Sequence, residues 1–102
     1  MFGILKKLFG PGTDYKSIMA KNAIIIDVRT QQEFNSGHID GSRNIPLDQI
    51  KSKVSELKKT GKPVITCCRS GARSGMATSQ LASAGIEVYN GGAWTSLNNK
   101  IK

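Results

Sequence analysis

The 102-residue sequence predicts an α/β domain: a central, mainly parallel sheet flanked by helices on both faces. Three observations predict it. Ala23-Ile24-Ile25-Ile26-Asp27-Val28 is an unbroken, β-branched run, the pattern of a strand buried on both faces. Leu47, Ile50, Val54 and Leu57 recur at helical spacing and form one apolar face. Val64-Ile65-Thr66-Cys67 is a second apolar run, which passes through a short Gly- and Arg-containing loop into a helical segment near residues 73–84. Strands that alternate with helices pair in parallel through right-handed crossovers.

The length suits one domain. A hydrophobic content of 38% with 22% charged residues excludes a disordered or membrane-spanning class. Fifteen Lys and Arg against seven Asp and Glu give +8, which favours anionic ligands. Nucleic acid is disfavoured, because the cations are spread along the chain and six aromatics build no stacking platform. The two cysteines, Cys67 and Cys68, are neighbours. Adjacent thiols form neither a disulfide framework nor a structural zinc site, so a reduced, cytoplasmic protein is expected. No stretch approaches the ~20 apolar residues that span a bilayer.

In chain order, residues 1–12 read as an N-terminal amphipathic helix and linker, and 13–102 as the domain. Phe2, Leu5 and Phe9 share a face opposite Lys6 and Lys7, and Gly10-Pro11-Gly12 ends the segment. Such a segment either caps the core or makes a peripheral membrane or partner contact through residues 1–9. Thr13 or Asp14 caps a short helix that turns Tyr15 and Ile18 inward. Thr30-Gln31-Gln32-Glu33 is a capping box for a helix over about 31–36, with Phe34 inward and Gly37 as its stop. Asn44-Ile45-Pro46-Leu47 is a brief strand cut by Pro46.

The helix from Leu47 carries Asp48 in its first turn and Lys58-Lys59 in its last, as the helix dipole prefers, and Gly61 ends it. In the helix after the loop, Met76, Ala77, Gln80, Leu81 and Ala84 share a face. Ile86 to Tyr89 is a strand, Asn90-Gly91-Gly92 a turn, Ala93 to Leu97 a last helical turn, and Asn98 to Lys102 a frayed polar tail.

The chemistry centres on Cys67-Cys68-Arg69-Ser70-Gly71-Ala72-Arg73-Ser74-Gly75. A thiol at a strand end, followed by a tight loop and a helix, sits in an anion-binding cup. Loop N–H groups and the positive helix end converge on it. Two arginines add charge, so the thiol has a depressed pKa and acts as a thiolate. Carboxyl strand ends carrying Asp27-Val28-Arg29 and Asn90-Gly91-Gly92 converge on the same side of the sheet.

These pieces resemble a single-domain rhodanese, a sulfurtransferase module. The resemblance rests on Asp27-Val28-Arg29, Glu33-Phe34, Gly37 to Ser42 with Asn44-Ile45-Pro46, the loop Cys68 to Ser74, and Gly91-Gly92 with Trp94. It spans roughly residues 14–97. It implies a five-stranded parallel sheet, Cys68 as the nucleophile that carries sulfur as a persulfide, and Arg69, Ser70, Gly71, Ala72 and Arg73 as the cup for a substrate anion. The implied partners are thiosulfate or another sulfur donor and a cyanide or thiol acceptor, including a sulfur-acceptor protein. The chemistry requires no metal and no organic cofactor, and a monomer is expected.

Asp27, Arg29 and Glu33 read better as an ion-pair cluster that supports the site than as catalytic groups. His38 is a structural hydrogen-bonding residue, and Trp94 belongs to the core or the pocket rim. Arg73 braces the loop, while Arg69 meets substrate. Cys67 departs from the family pattern, which often has an aromatic residue there. Alternation along the strand turns it away from Cys68 as a small buried residue. The other reading is a thiol that assists redox recovery of Cys68. Counting from Cys68 gives Cys-x4-Arg73, the sulfurtransferase loop length. Counting from Cys67 gives Cys-x5-Arg73, the length of related phosphatases. The alternatives are thus a phosphatase or arsenate reductase of the same fold, or a non-enzymatic interaction module.

Overall fold

The computed structural model, which describes residues 13–102, has four parallel strands, two of them the apolar runs that begin at Ile24 and Val64. They are β1 (Ile24–Asp27), β2 (Arg43–Asn44), β3 (Val64–Cys68) and β4 (Val88–Ala93), in the order β2-β1-β3-β4. The resemblance implies five strands. Among the described residues the rest of the chain is taken by helices and their connections, so no run remains for a fifth. The expected amphipathic helix and linker of residues 1–12 lie outside the described residues.

Among the described residues, five helices cover the sheet: α1 (Tyr15–Met19), α2 (Gln31–Asn35), α3 (Ile50–Thr60), α4 (Ala72–Ser83) and α5 (Trp94–Ile101), with a 3-10 turn over Leu47–Gln49 before α3. The strand pattern decides which core each helix completes. Ile26, Val64, Cys68 and Val88 pack with Ile50 and Leu57 of α3 and with Ala77 and Leu81 of α4. Ile25, Ile65 and Cys67 pack on the opposite face with Tyr15 and Ile18 of α1 and Leu97 of α5. Burial on both faces explains why the strands show no apolar–polar alternation. It also sends the two adjacent cysteines into different cores.

Local signals set the boundaries. The Asp14 carboxylate accepts from the Ser17 N–H and caps α1, and the Thr30–Glu33 capping box forms in full at α2. Pro46 has no N–H to donate, so β2 stops after two residues, although the N–H groups of Ile45 and Leu47 on either side still reach Asp27 O and Val28 O.

Four expectations change. Phe34 is half-buried rather than inward: α2 is one short turn, buries no residue, and stacks Phe34 on His38 with ring centroids 3.7 Å apart. Asn90-Gly91-Gly92 are not a turn but part of β4, where the β3–β4 register shifts between Thr66 and Cys68. The chain after Leu97 is helical to Ile101, because Trp94, Leu97 and Ile101 form an apolar stripe on the α1 side of the sheet. Met76 is 58% exposed, because the buried stripe of α4 is Ser74, Ala77, Thr78 and Leu81. Its polar members are held by hydrogen bonds: Thr66 Oγ1 lies 2.8 Å from Thr78 Oγ1, and Thr78 Oγ1 donates to Ser74 O at 2.7 Å.

Candidate active site

All four strands point their carboxyl ends the same way, and the register places Asp27 beside Cys67 and Cys68 beside Ala93. The loop after β3 and the loop after β1 therefore meet. Gly71 is the hinge of this arrangement. It caps α4 with φ +107°, a backbone conformation that L side chains rarely adopt, and the position a Cβ would take lies 3.5 Å from Gly92 Cα. That conformation aims the Gly71 N–H back at Cys68 Sγ, 3.0 Å away.

Cys68 is buried at the base of the loop. Its sulfur also lies 3.4 Å from the Ser74 N–H nitrogen, in the first turn of α4, and 3.4 Å from Ser74 Oγ. Burial pushes the thiol pKa up. The Ser74 hydroxyl and the N–H groups of Ser74, Gly71 and Ser70 outweigh it and leave the pKa below its ordinary value. The positive end of α4 acts in the same direction. The result is a buried sulfur whose anion is favoured by a ring of donors, which suits nucleophilic attack and return of the electron pair.

Ser74 was not among the residues expected to form the site. It is fully buried, and its hydroxyl donates to Asn90 Oδ1 at 2.7 Å or turns to the sulfur. The Gly92 N–H fixes the orientation of Asn90 by donating to the same Oδ1 at 2.9 Å. A serine one residue past the arginine of the loop, at the first turn of a helix, is the signal that could have found it.

Cys67 is different in kind. It lies in the other core, wholly buried, and burial followed by the nearby Asp27 carboxylate pushes its thiol far up. Its environment is that of a neutral, apolar side chain.

Two ion pairs hold the loops. Arg29 is buried against Asp27, with Nη2 2.6 Å from Oδ2 and Nε 2.9 Å from Oδ1. It also donates to Gly37 O at 2.7 Å and lies 5.0 Å from the centroid of the Trp94 ring. It thus ties the end of β1 to the loop after α2. Arg73 grips Glu33 with both nitrogens, at 2.8 and 3.0 Å. With the Thr30 N–H, this holds the Glu33 carboxyl at about 2. His38 donates through Nδ1 to Phe34 O at 2.7 Å and takes no part in the cup. Arg69 and Ser70 are exposed at the loop tip and Ala72 opens α4. Among the described residues, no group of three or more His, Cys, Asp and Glu could hold a metal ion, and no helix is long and apolar enough to cross a membrane.

Comparison with known proteins agrees with this fold. Residues 12–96 match the family described as Rhodanese-like domain. An uncharacterized protein of Bacillus subtilis, YqhL, is 44% identical over 84 residues, which are 80% of this chain and 66% of that protein. A putative mitochondrial thiosulfate sulfurtransferase of Schizosaccharomyces pombe is 34% identical over 96 residues, covering 80% of this chain and 68% of that protein. The chain spans about two thirds of the length of these relatives. The crystal structure of a rhodanese-like domain protein from Staphylococcus aureus superposes with a TM-score of 0.69 at 27% identity, covering 82% of this chain and 81% of that one.

Proposed function

The chain belongs to the family of rhodanese-like domains, and from that membership we propose that it is a sulfurtransferase with Cys68 as its sulfur carrier. The observation that carries this reading is the donor ring on Cys68 Sγ: Gly71 N–H at 3.0 Å, and the Ser74 N–H and hydroxyl at 3.4 Å. A relative named as a putative thiosulfate sulfurtransferase supports the choice of donor.

The Cys68 thiolate attacks the outer sulfur of thiosulfate. A sulfur–sulfur bond forms to Sγ, the sulfur–sulfur bond of thiosulfate breaks, and sulfite leaves with the electron pair. The enzyme persulfide then gives its outer sulfur to cyanide or a thiol, and the pair returns to Sγ. Donors that favour the thiolate lessen the need for a separate base. The donor is a dianion and needs positive charge around it. Arg73 is engaged by Glu33, so it shapes the cup, whereas Arg69, exposed at the tip, supplies the mobile charge. Ser70, Gly71 and Ala72 contribute their backbone. Asp27, Arg29, Glu33 and His38 hold the flanking loops in register. Both cysteines are free, which fits a reducing, cytoplasmic setting and a monomer working on small sulfur donors.

The test is thiosulfate-to-cyanide transfer by wild type, Cys67→Ser and Cys68→Ser, beside an aryl phosphate assay. Transfer lost only in Cys68→Ser is expected. Transfer surviving in Cys68→Ser, or phosphate release depending on Cys67, overturns the assignment.

A further inference from the structure

A groove of about 650 Å³ borders the sulfur site, and the mechanism above leaves it unused. Ser70, Gly71 and Ala72 line one end of it, the same loop whose N–H groups surround Cys68 Sγ. Tyr15 of α1 and Lys100 of α5 line it as well, and Met76 of α4 faces it. Cyanide or thiosulfate occupies only a small part of such a volume; it is the size that takes a ligand as large as a short peptide.

Its lining is chemically selective. Met76 is the one large hydrophobic residue exposed among the described residues. An exposed flexible thioether beside a reactive loop is a contact surface for an apolar chain. Among the described residues, Lys100 is the sole charged side chain lining the groove. It forms no ion pair among the described residues, and its Nζ rests 5.6 Å from the centroid of the Tyr15 ring. The aromatic contact steadies the ammonium and leaves its donors open. No carboxylate of the described residues lines the groove.

We infer that this groove seats the thiol acceptor, and that Met76 and Lys100 select small thiols in which an apolar spacer joins the sulfur to a carboxylate. The inference rests on the sulfurtransferase reading. The acceptor sulfur bonds to the outer sulfur of the Cys68 persulfide. The bond from that sulfur to Sγ breaks, its electron pair stays on Cys68 as the thiolate, and the proton of the acceptor thiol remains on the product persulfide. The carboxylate meets Lys100 while the spacer lies on Met76.

The test charges Cys68 with thiosulfate, removes the excess, and follows single-turnover discharge by ω-mercaptoalkanoates of increasing chain length. Each is paired with the ω-mercaptoalcohol of equal length. The readout is the ratio of the two rate constants, which cancels the reactivity of the thiol. In wild type the ratio exceeds one and peaks at an intermediate length. Lys100→Glu lowers the peak about three- to tenfold, the scale of reversing one exposed charge. Met76→Ser slows long acids and long alcohols alike. A ratio that ignores chain length, or that is the same in Lys100→Glu, overturns the inference and leaves the sulfurtransferase reading standing. A wild type that never accepts sulfur from thiosulfate overturns both.

Discussion

Replacing Ser74 with alanine removes one of the donors that face the sulfur and leaves the backbone N–H groups of Gly71 and Ser70 in place. A hydrogen bond to a charged acceptor contributes about 1.5–3 kcal/mol. The hydroxyl stands 3.4 Å from Sγ, at the long end of such contacts, and must turn from Asn90 Oδ1, 2.7 Å away, to serve it. The low end of the range applies, about 1.5 kcal/mol, which is about one pKa unit. Ser74→Ala therefore raises the Cys68 pKa by about one unit. Ultraviolet titration of the thiolate reads this directly, with Cys67→Ala as the background so that one thiol remains. Below the wild-type midpoint, single-turnover sulfite release falls about tenfold. Well above it the two proteins converge, since both are then ionised. A folded Ser74→Ala protein whose midpoint does not move would refute the claim that the Ser74 hydroxyl stabilises the anion.

Other changes probe the frame of the site. Gly71→Ala forces a side chain into φ +107° and displaces the N–H that sits 3.0 Å from Sγ; stability falls by about 1–2 kcal/mol, and the rate of sulfite release falls at least about tenfold. At Gly91 a Cβ would stand 2.8 Å from both Thr66 O and Leu97 Cδ2, so Gly91→Ala overpacks β4 against β3 and α5; thermal unfolding shows a loss of about 2–3 kcal/mol, a Tm lower by about 10–20 °C. The Glu33 carboxyl, held at about 2 by Arg73, stabilises the fold fully above its unfolded value near 4.5 and loses that contribution as pH falls toward 2. Glu33→Gln flattens the pH dependence of stability across that window by on the order of 1 kcal/mol, the pair being partly solvated. A slope identical to wild type in acid denaturation would contradict this.

Much of this arrangement is legible from residue order, and the places where it is not share physical causes. Cys67 and Cys68 diverge as strand alternation requires, and Thr30 with Glu33 forms the box that its spacing announces. An apolar pattern places Met76 on the buried face, because apolar residues ordinarily take that face. Here Ser74 and Thr78 take that face, their polarity satisfied by Cys68, Asn90 and Thr66, and rotate Met76 outward. Asn90-Gly91-Gly92 read as a turn because glycine carries no side-chain periodicity. In the fold the small residues are needed for close approach: Gly91 packs on Thr66 O where the ladder shifts. The polar tail hid a helix because Leu97 and Ile101 find their apolar partners only in the fold, in the core that α1 shares on the same face of the sheet. Sequence order brings Arg69 and Arg73 to one loop. Only the fold separates their duties, by placing the carboxylate of Glu33, forty residues away in sequence, against Arg73.

The central claim is that Cys68, and not its neighbour, carries sulfur. Intact-mass and peptide-mass analysis after brief exposure to thiosulfate, under non-reducing conditions, tests it most directly. The account predicts a gain of one sulfur atom, mapped to Cys68, that disappears on addition of cyanide. No gain in mass, or a gain mapped to Cys67, would contradict it.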